Sequence, residues 1–171
     1  GGGGGRIAIN YTTGTVGTLT LDTYGGTGYF SAEVGAAGTI YTKSASQSHG
    51  DLLIDNNALV SVTASTPIAT GTEAISLNDL TLTGNASATA PTTLTIYGDY
   101  TNNALVNFSD NGTTTFAGTS LQTAIGTMTG TSAFNNVEVT NTSGTNAQSA
   151  PSIIFGADSE FADFTAETDG V

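Results

Sequence analysis

Few residues in this chain are able to do chemistry. His49 is the one histidine, and it stands beside Ser48 and two places before Asp51, the residue types of a nucleophilic triad. Working triads are assembled from side chains on separate elements, and neighbours on one turn rarely form one, so this stretch reads as a polar turn. Glycan cleavage is the more serious enzymatic option. Hydrolysis needs two carboxylates about 5–10 Å apart. Asp55 with Asp79 (24 residues apart), or Glu138 with Glu160 (22 apart), would meet that need if successive turns of the chain stack. A chain with 14 acids produces such spacings by chance, and a lyase would want a Lys or Arg base where only Arg6 and Lys43 exist. Tryptophan is absent, which leaves Tyr24, Tyr29, Tyr41, Tyr97 and Tyr100 as rings on which a sugar could stack. The expectation is a protein that is not an enzyme.

Oxygen ligands are better represented. Calcium takes carboxylates and carbonyl oxygens, and Asp110-Asn111-Gly112 with Asn107 and Ser109 is an oxygen-rich turn. Asp158, Glu160, Asp163, Glu167 and Asp169 form the densest acidic run. Asn107, Asp110, Asp158, Glu160 and Asp163 are therefore the candidate Ca²⁺ ligands. No EF-hand loop or nonapeptide calcium repeat is present, and a solvated acidic face accounts for the same residues without metal. Asn10, Asn85, Asn107, Asn111 and Asn141 each open an Asn-x-Ser/Thr triplet and are candidate glycosylation sites, although Thr-rich sequence generates that pattern freely. Gly1–Gly5 lacks the Lys-Ser/Thr of a phosphate loop and leads into a strand pattern, not a helix. Having no large side chain to pack, it is expected to be flexible or tightly looped.

Composition narrows the class. Charged residues make up 9% of the chain and thirteen of the 171 residues are Phe or Tyr, seven and six respectively. Val, Ile, Leu, Phe and Tyr recur in alternating clusters among many β-branched threonines, with no helical stripe, which points to an all-β fold and not to disorder. The net charge of −12 excludes a nucleic-acid partner, whose phosphates need a basic footprint. It also argues against anionic membrane surfaces, and no apolar run is long enough for membrane insertion. Absence of cysteine excludes disulfides and thiolate metal sites.

The elements that must position these residues follow a recurring grammar. Asn56-Asn57-Ala58-Leu59-Val60 returns 46 residues later as Asn102-Asn103-Ala104-Leu105-Val106, with Asn78-Asp79-Leu80 between them. Intervals of 20 to 25 residues, each holding short strands and a polar turn, predict a right-handed parallel β-helix, a solenoid of stacked coils. A β-sandwich, pilin-like subunit is the alternative. Asn56, Asn78, Asn102 and Asn135 are predicted to stack as an amide ladder at equivalent corners. Strands are predicted over Arg6–Tyr11, Thr18–Tyr24, Gly38–Lys43, Asp51–Asp55, Leu59–Thr63, Glu73–Thr83 (bent at Asn78-Asp79), Thr93–Tyr97, Leu105–Phe108, Thr113–Phe116, Asn136–Thr140 and Ser152–Phe155. A short strand at Tyr29–Val34 is a further option, and Pro67 and Pro91 are placed at corners. Residues 1–50 read as a Gly-rich segment with irregular first coils. Residues 51–171 read as the regular coils, with an inserted loop near 117–133.

Gly1–Tyr11, Gly38–Ser44 and Gly50–Asn57, together with Gly112–Gly126 leading to Phe134–Asn141, resemble segments of very large secreted bacterial proteins. These are fibrous, adhesin-like surface proteins of the pectate-lyase-like solenoid class. The resemblance spans most of the chain and implies a scaffold with no catalytic motif to carry over. It implies an extracellular or cell-surface location and a structural role in a fibre, stalk or adhesin. Assembly is expected with other copies of itself, head to tail or by strand exchange from the Gly-rich start or Phe-rich tail. A glycan-binding or glycan-cleaving module, with surface glycans as partners, is the alternative.

Overall fold

A computed structural model describes residues 1–29, 33–103, 107–144 and 150–166. The strands are β1 (Arg6–Tyr11), β2 (Thr39–Ser44), β3 (Asp51–Asp55), β4 (Thr66–Pro67), β5 (Ala74–Leu77), β6 (Leu80–Thr83) and β7 (Ala88–Thr89). They continue as β8 (Thr93–Ile96), β9 (Tyr100–Asn102), β10 (Phe108–Ser109), β11 (Thr113–Phe116), β12 (Gln122–Gly126), β13 (Phe134–Val139), β14 (Ile153–Phe155) and β15 (Phe161–Ala166). Single 3-10 turns occupy Val16–Thr18 and Gly130–Ser132. The fold is all-β with parallel sheets and no closed barrel.

Three sheets share these strands in rotation. The first runs β1-β2-β3-β6-β9-β12-β14, the second β10-β7-β4 and the third β15-β13-β11-β8-β5. From β3 to β12 the chain visits them in a fixed cycle, and from β13 to β15 it alternates between the third and the first, so each strand lies beside its counterpart from the previous pass. Among the described residues every pairing is parallel except β2 with β3. A β-sandwich pilin, which rests on antiparallel ladders, is thereby set aside. Spacing between counterparts varies with the length of the corners. It is 20 residues from Thr93 to Thr113, 28 from Ile54 to Leu82 and 31 from Gln122 to Ile153, wider than the expected 20 to 25.

Parallel register turns the alternation of each strand into columns of like side chains. Leu52, Leu80, Tyr100, Ala124 and Phe155 align in one column, and Leu77, Ile96, Phe116 and Val139 in another across the interior. Most of these side chains are buried and form one continuous core. Toward the C-terminal coils the core is aromatic. Phe134 meets Tyr100, Phe108, Phe116 and Phe161 at ring separations of 5.1 to 6.2 Å, distances at which edge and offset contacts are favourable.

Several expected elements differ. Leu59–Thr63 is not a strand: Asn57 and Ala58 adopt positive φ (50° and 60°) and turn the chain out of β3. Val60 and Val62 then face solvent while Ser61 is buried and caps Ala64 N–H. Thr18–Tyr24 forms no strand either, and Leu19 is 55% exposed. Pro67 sits within β4, at an exposed position, and not at a corner. The stretch 117–133 is not an inserted loop, since it carries β12, paired with both β9 and β14. Within the Tyr29–Val34 option residues 30–32 lie outside the described residues, as do 104–106 of the second Asn-Asn echo and 167–171 of the acidic tail.

Gly1–Gly5 has no strand or helix of its own and is closely packed. It packs with Thr23–Gly26 and Gly35–Gly38, each of the three segments bonded to the other two, by Gly26 N–H to Gly2 O (2.8 Å), Gly4 N–H to Ala36 O (2.9 Å) and Gly38 N–H to Thr23 O (2.5 Å). A methyl group at Gly4, Gly25, Gly35 or Gly38 would overlap the backbone of a facing segment. Absence of side chains is what lets these three segments pack. The layer is tied to the coils through Asn56 Oδ1, which accepts Gly25 N–H (2.8 Å), and Ala37 O, which accepts Thr66 Oγ1 (2.7 Å).

Candidate functional site

The corner that leads from the third sheet into the first gathers the most chemistry. Asp51, Asp79 and Asp99 each stand immediately before a buried inward residue (Leu52, Leu80 and Tyr100) that is aligned with the others in register. The three aspartates therefore form a column. Each carboxylate accepts the backbone N–H of the next pass: Asp51 Oδ1 from Asp79 N–H (3.3 Å), Asp79 Oδ1 from Asp99 N–H (2.8 Å) and Asp99 Oδ1 from Thr123 N–H (2.7 Å). Asn78 Nδ2 (2.7 Å) and Gln47 Nε2 (3.2 Å) also donate to Asp51. Burial raises the Asp79 pKa above its ordinary 3.8; the Asp99 N–H bond lowers it, and the flanking Asp51 and Asp99 charges raise it again.

Beside the column, His49 lies flat on Tyr97, with centroids 4.2 Å apart and planes 5° from parallel. The pair borders a cleft of about 590 Å³ that also includes Ser48, Asn78, Asp99 and Leu121. Beneath it, Gln122 is buried and satisfies four groups: its Nε2 donates to Ile96 O (3.0 Å) and Gly98 O (2.5 Å), and its Oε1 accepts Gly118 N–H (2.9 Å) and Asn141 Nδ2 (2.8 Å). This buried amide pair fixes the corner without apolar side chains.

The structure separates most of the residues grouped from sequence. Ser48, His49 and Asp51 share a turn, but the Asp51 oxygens serve Gln47, Asn78 and the Asp79 amide while His49 serves as a ring for Tyr97. Asp55 aligns with Thr83, at the far end of the strand from Asp79. Glu138 aligns with Thr165, while Glu160 precedes the opposite end of β15. Neither carboxylate pair is stacked. Tyr100 is buried in the core, Tyr41 holds Gly50 N–H (3.1 Å), and of the five tyrosines Tyr97 is the one that borders the cleft.

The asparagines do not form an amide ladder. Asn102 aligns with Leu82 and hence Ile54, so the two Asn-Asn echoes are offset by two positions. Each amide bonds elsewhere: Asn56 Nδ2 to Leu59 O (2.7 Å), Asn78 Nδ2 to Asp51, Asn102 Nδ2 to Thr127 O (2.9 Å) and Asn135 Nδ2 to Gly112 O (3.0 Å). Three of the four thus donate to a backbone carbonyl and Asn78 to a carboxylate, so none of these amide donors goes to another of the four asparagines.

Among the described residues no three carboxylate or histidine side chains converge as a metal site. Asp110 is buried and spends its oxygens on Gly112 N–H (3.0 Å), Thr114 Oγ1 (3.1 Å) and Asn135 N–H (3.3 Å). Glu160 holds Gly130 N–H (2.6 Å), Asp163 holds Phe164 N–H (2.9 Å), Asn107 Oδ1 accepts Thr131 Oγ1 (2.5 Å), and Asp158 lies exposed in the corner before β15. Of the glycosylation triplets, Asn141 is buried with its amide engaged, which closes it to modification in the folded chain. Asn10, Asn107 and Asn111 are exposed, and Asn85 is half-buried with its amide on Ala58 O (3.0 Å). Among the described residues no helix is long and apolar enough to cross a membrane.

The aspartate column was open to sequence reasoning through one signal, the recurrence of Asp before a large apolar residue in Asp51-Leu52, Asp79-Leu80 and Asp99-Tyr100. Comparison of the chain with protein-family models, curated proteins and solved structures gave no match.

Proposed function

We propose that this chain is a right-handed parallel β-solenoid that works as a structural segment or subunit of an extracellular fibre, stalk or adhesin, extended end to end. The observation that carries the reading is the cyclic order of parallel-paired strands through three sheets from β3 to β12. In such an order each coil completes the backbone hydrogen bonds of the one before it, and the terminal strands keep one open edge. At one end, β14 and β15 are the outer strands among the described residues, together with Ile154 and Phe164, which are 43% and 39% exposed. At the other, β1 is the outer strand.

Charge supports head-to-tail order. Arg6 and Lys43 both lie on β1 and β2, whereas residues 51–171 hold every acid except Asp22 and Glu33, and no base. A contact between the β1 edge of one copy and the β14–β15 end of another brings a cation-bearing face to an acidic one. Tail-to-tail contact would pair like charges. The resemblance to secreted bacterial solenoids points the same way. Calcium bridging of acidic faces is a compatible addition to this reading.

Electron microscopy of the purified chain at micromolar concentration, with calcium and then with chelator, tests it. The expected result is unbranched fibres whose diffraction has a meridional spacing near 4.8 Å. Compact single copies under both conditions would overturn the assembly, and fibres lost only in chelator would make calcium part of it.

A further inference from the structure

We infer that the cleft beside the aspartate column is a binding site for a neutral carbohydrate. Its wall includes a stacked ring pair, His49 face to face with Tyr97, with Tyr97 39% exposed and Leu121, 51% exposed, as a second apolar surface. Around the pair stand the Asp99 carboxylate, the Asn78 amide and the Ser48 hydroxyl. A pyranose has this same division, an apolar C–H face for a ring and a rim of hydroxyls for carboxylate and amide partners. Asp99 uses one oxygen on Thr123 N–H, and a carboxylate has about four acceptor positions, so it keeps capacity for sugar hydroxyls.

Charge selects within the class. Asp99 is the one carboxylate among the residues lining the cleft, with Asp79 next to it in the column, and neither Arg6 nor Lys43 is among them. Uronate- or sialate-bearing glycans would meet like charge without a compensating base, whereas neutral hexose chains meet hydrogen-bond acceptors alone. Carbohydrate cleavage is not part of the inference. The cleft lies at a corner between sheets, not on a terminal strand, so binding is read equally from single copies or from fibres and does not rest on the assembly.

The test is saturation-transfer NMR of the whole chain with neutral hexose and N-acetylhexosamine oligosaccharides, and in parallel with uronate- and sialic-acid-terminated ones. Transfer to the neutral set is expected, with Kd weakened about tenfold or more by Tyr97→Ala and the thermal melt little changed. If Tyr97→Ala fails to fold, His49→Ala, on a turn outside the strands, carries the same reading. No transfer to neutral oligosaccharides at millimolar concentration, a preference for the anionic set, or undiminished binding by the folded variants would each overturn the inference.

Discussion

Asp79 carries the sharpest conflict in the molecule. Unit charges at about 4.8 Å repel by about 1–3 kcal/mol at the effective dielectric of a protein surface, and Asp79 has a carboxylate neighbour on either side. Backbone N–H donors from the next pass offset part of that repulsion, since hydrogen bonds to a charged acceptor are the stronger kind. Because the folded chain holds the Asp79 proton more tightly than the unfolded chain, with its pKa above 3.8, the wild-type fold gains stability as pH falls toward that value. It loses the same increment as pH rises through the raised pKa. Asp79→Asn keeps an oxygen for Asp99 N–H and removes the charge. It should raise Tm at pH 7 on the order of 2 °C, a modest shift because Asp79 is partly exposed and screened, with the difference fading below about pH 4. Melting curves from pH 3.5 to 8 check this; a lower Tm for the variant at pH 7 would contradict it.

At the scale of elements, two kinds of packing are joined. Coils from β3 onward pack by side-chain columns, while residues 1–5, 23–26 and 35–38 pack by the lack of side chains. Gly38→Ala should destabilise that layer by about 1–3 kcal/mol, because its methyl would strike the Gly5 carbonyl; Gly5→Ala, with nothing within 4 Å of its Cβ position, should be tolerated. Hydrogen exchange should show protection lost over residues 1–44 in the first variant and kept in β6 and β9 in both. Equal loss in the two would refute the packing. Legibility divides along similar lines. β3, β8, β11 and β13 are readable because most of their inward positions are Leu, Ile, Val or Phe, and Thr114 stands inward in β11 through its bond to Asp110. β12 is hidden because its inward residues are Gln122 and Ala124 while Leu121 and Ile125 face out. The same inversion makes Leu59–Thr63 a false strand. The glycine layer has no signal in hydrophobic periodicity at all, since its contacts are backbone to backbone.

Over the whole molecule, the exact repetition of Asn-Asn-Ala-Leu-Val misleads about register while pointing to the right class of architecture. Register follows the buried columns, so Asn102 sits beside Leu82, and the corners vary in length to let it do so. The candidate site follows from this, because a corner becomes a cleft only when His49, Tyr97 and Leu121, from three different passes, are brought level. What the fibre and carbohydrate proposals share is the parallel stacking of passes about 20 residues apart. Absence of cysteine allows a direct test free of background. Thr95 and Thr115 are register partners on neighbouring strands, where Cα atoms about 4.8 Å apart fall within disulfide range. Thr95→Cys with Thr115→Cys should therefore close a disulfide on mild oxidation, while Thr93→Cys with Thr115→Cys, two positions out of register, should not. Equal cross-linking of the two pairs, or none in the first, would contradict the stacked parallel register.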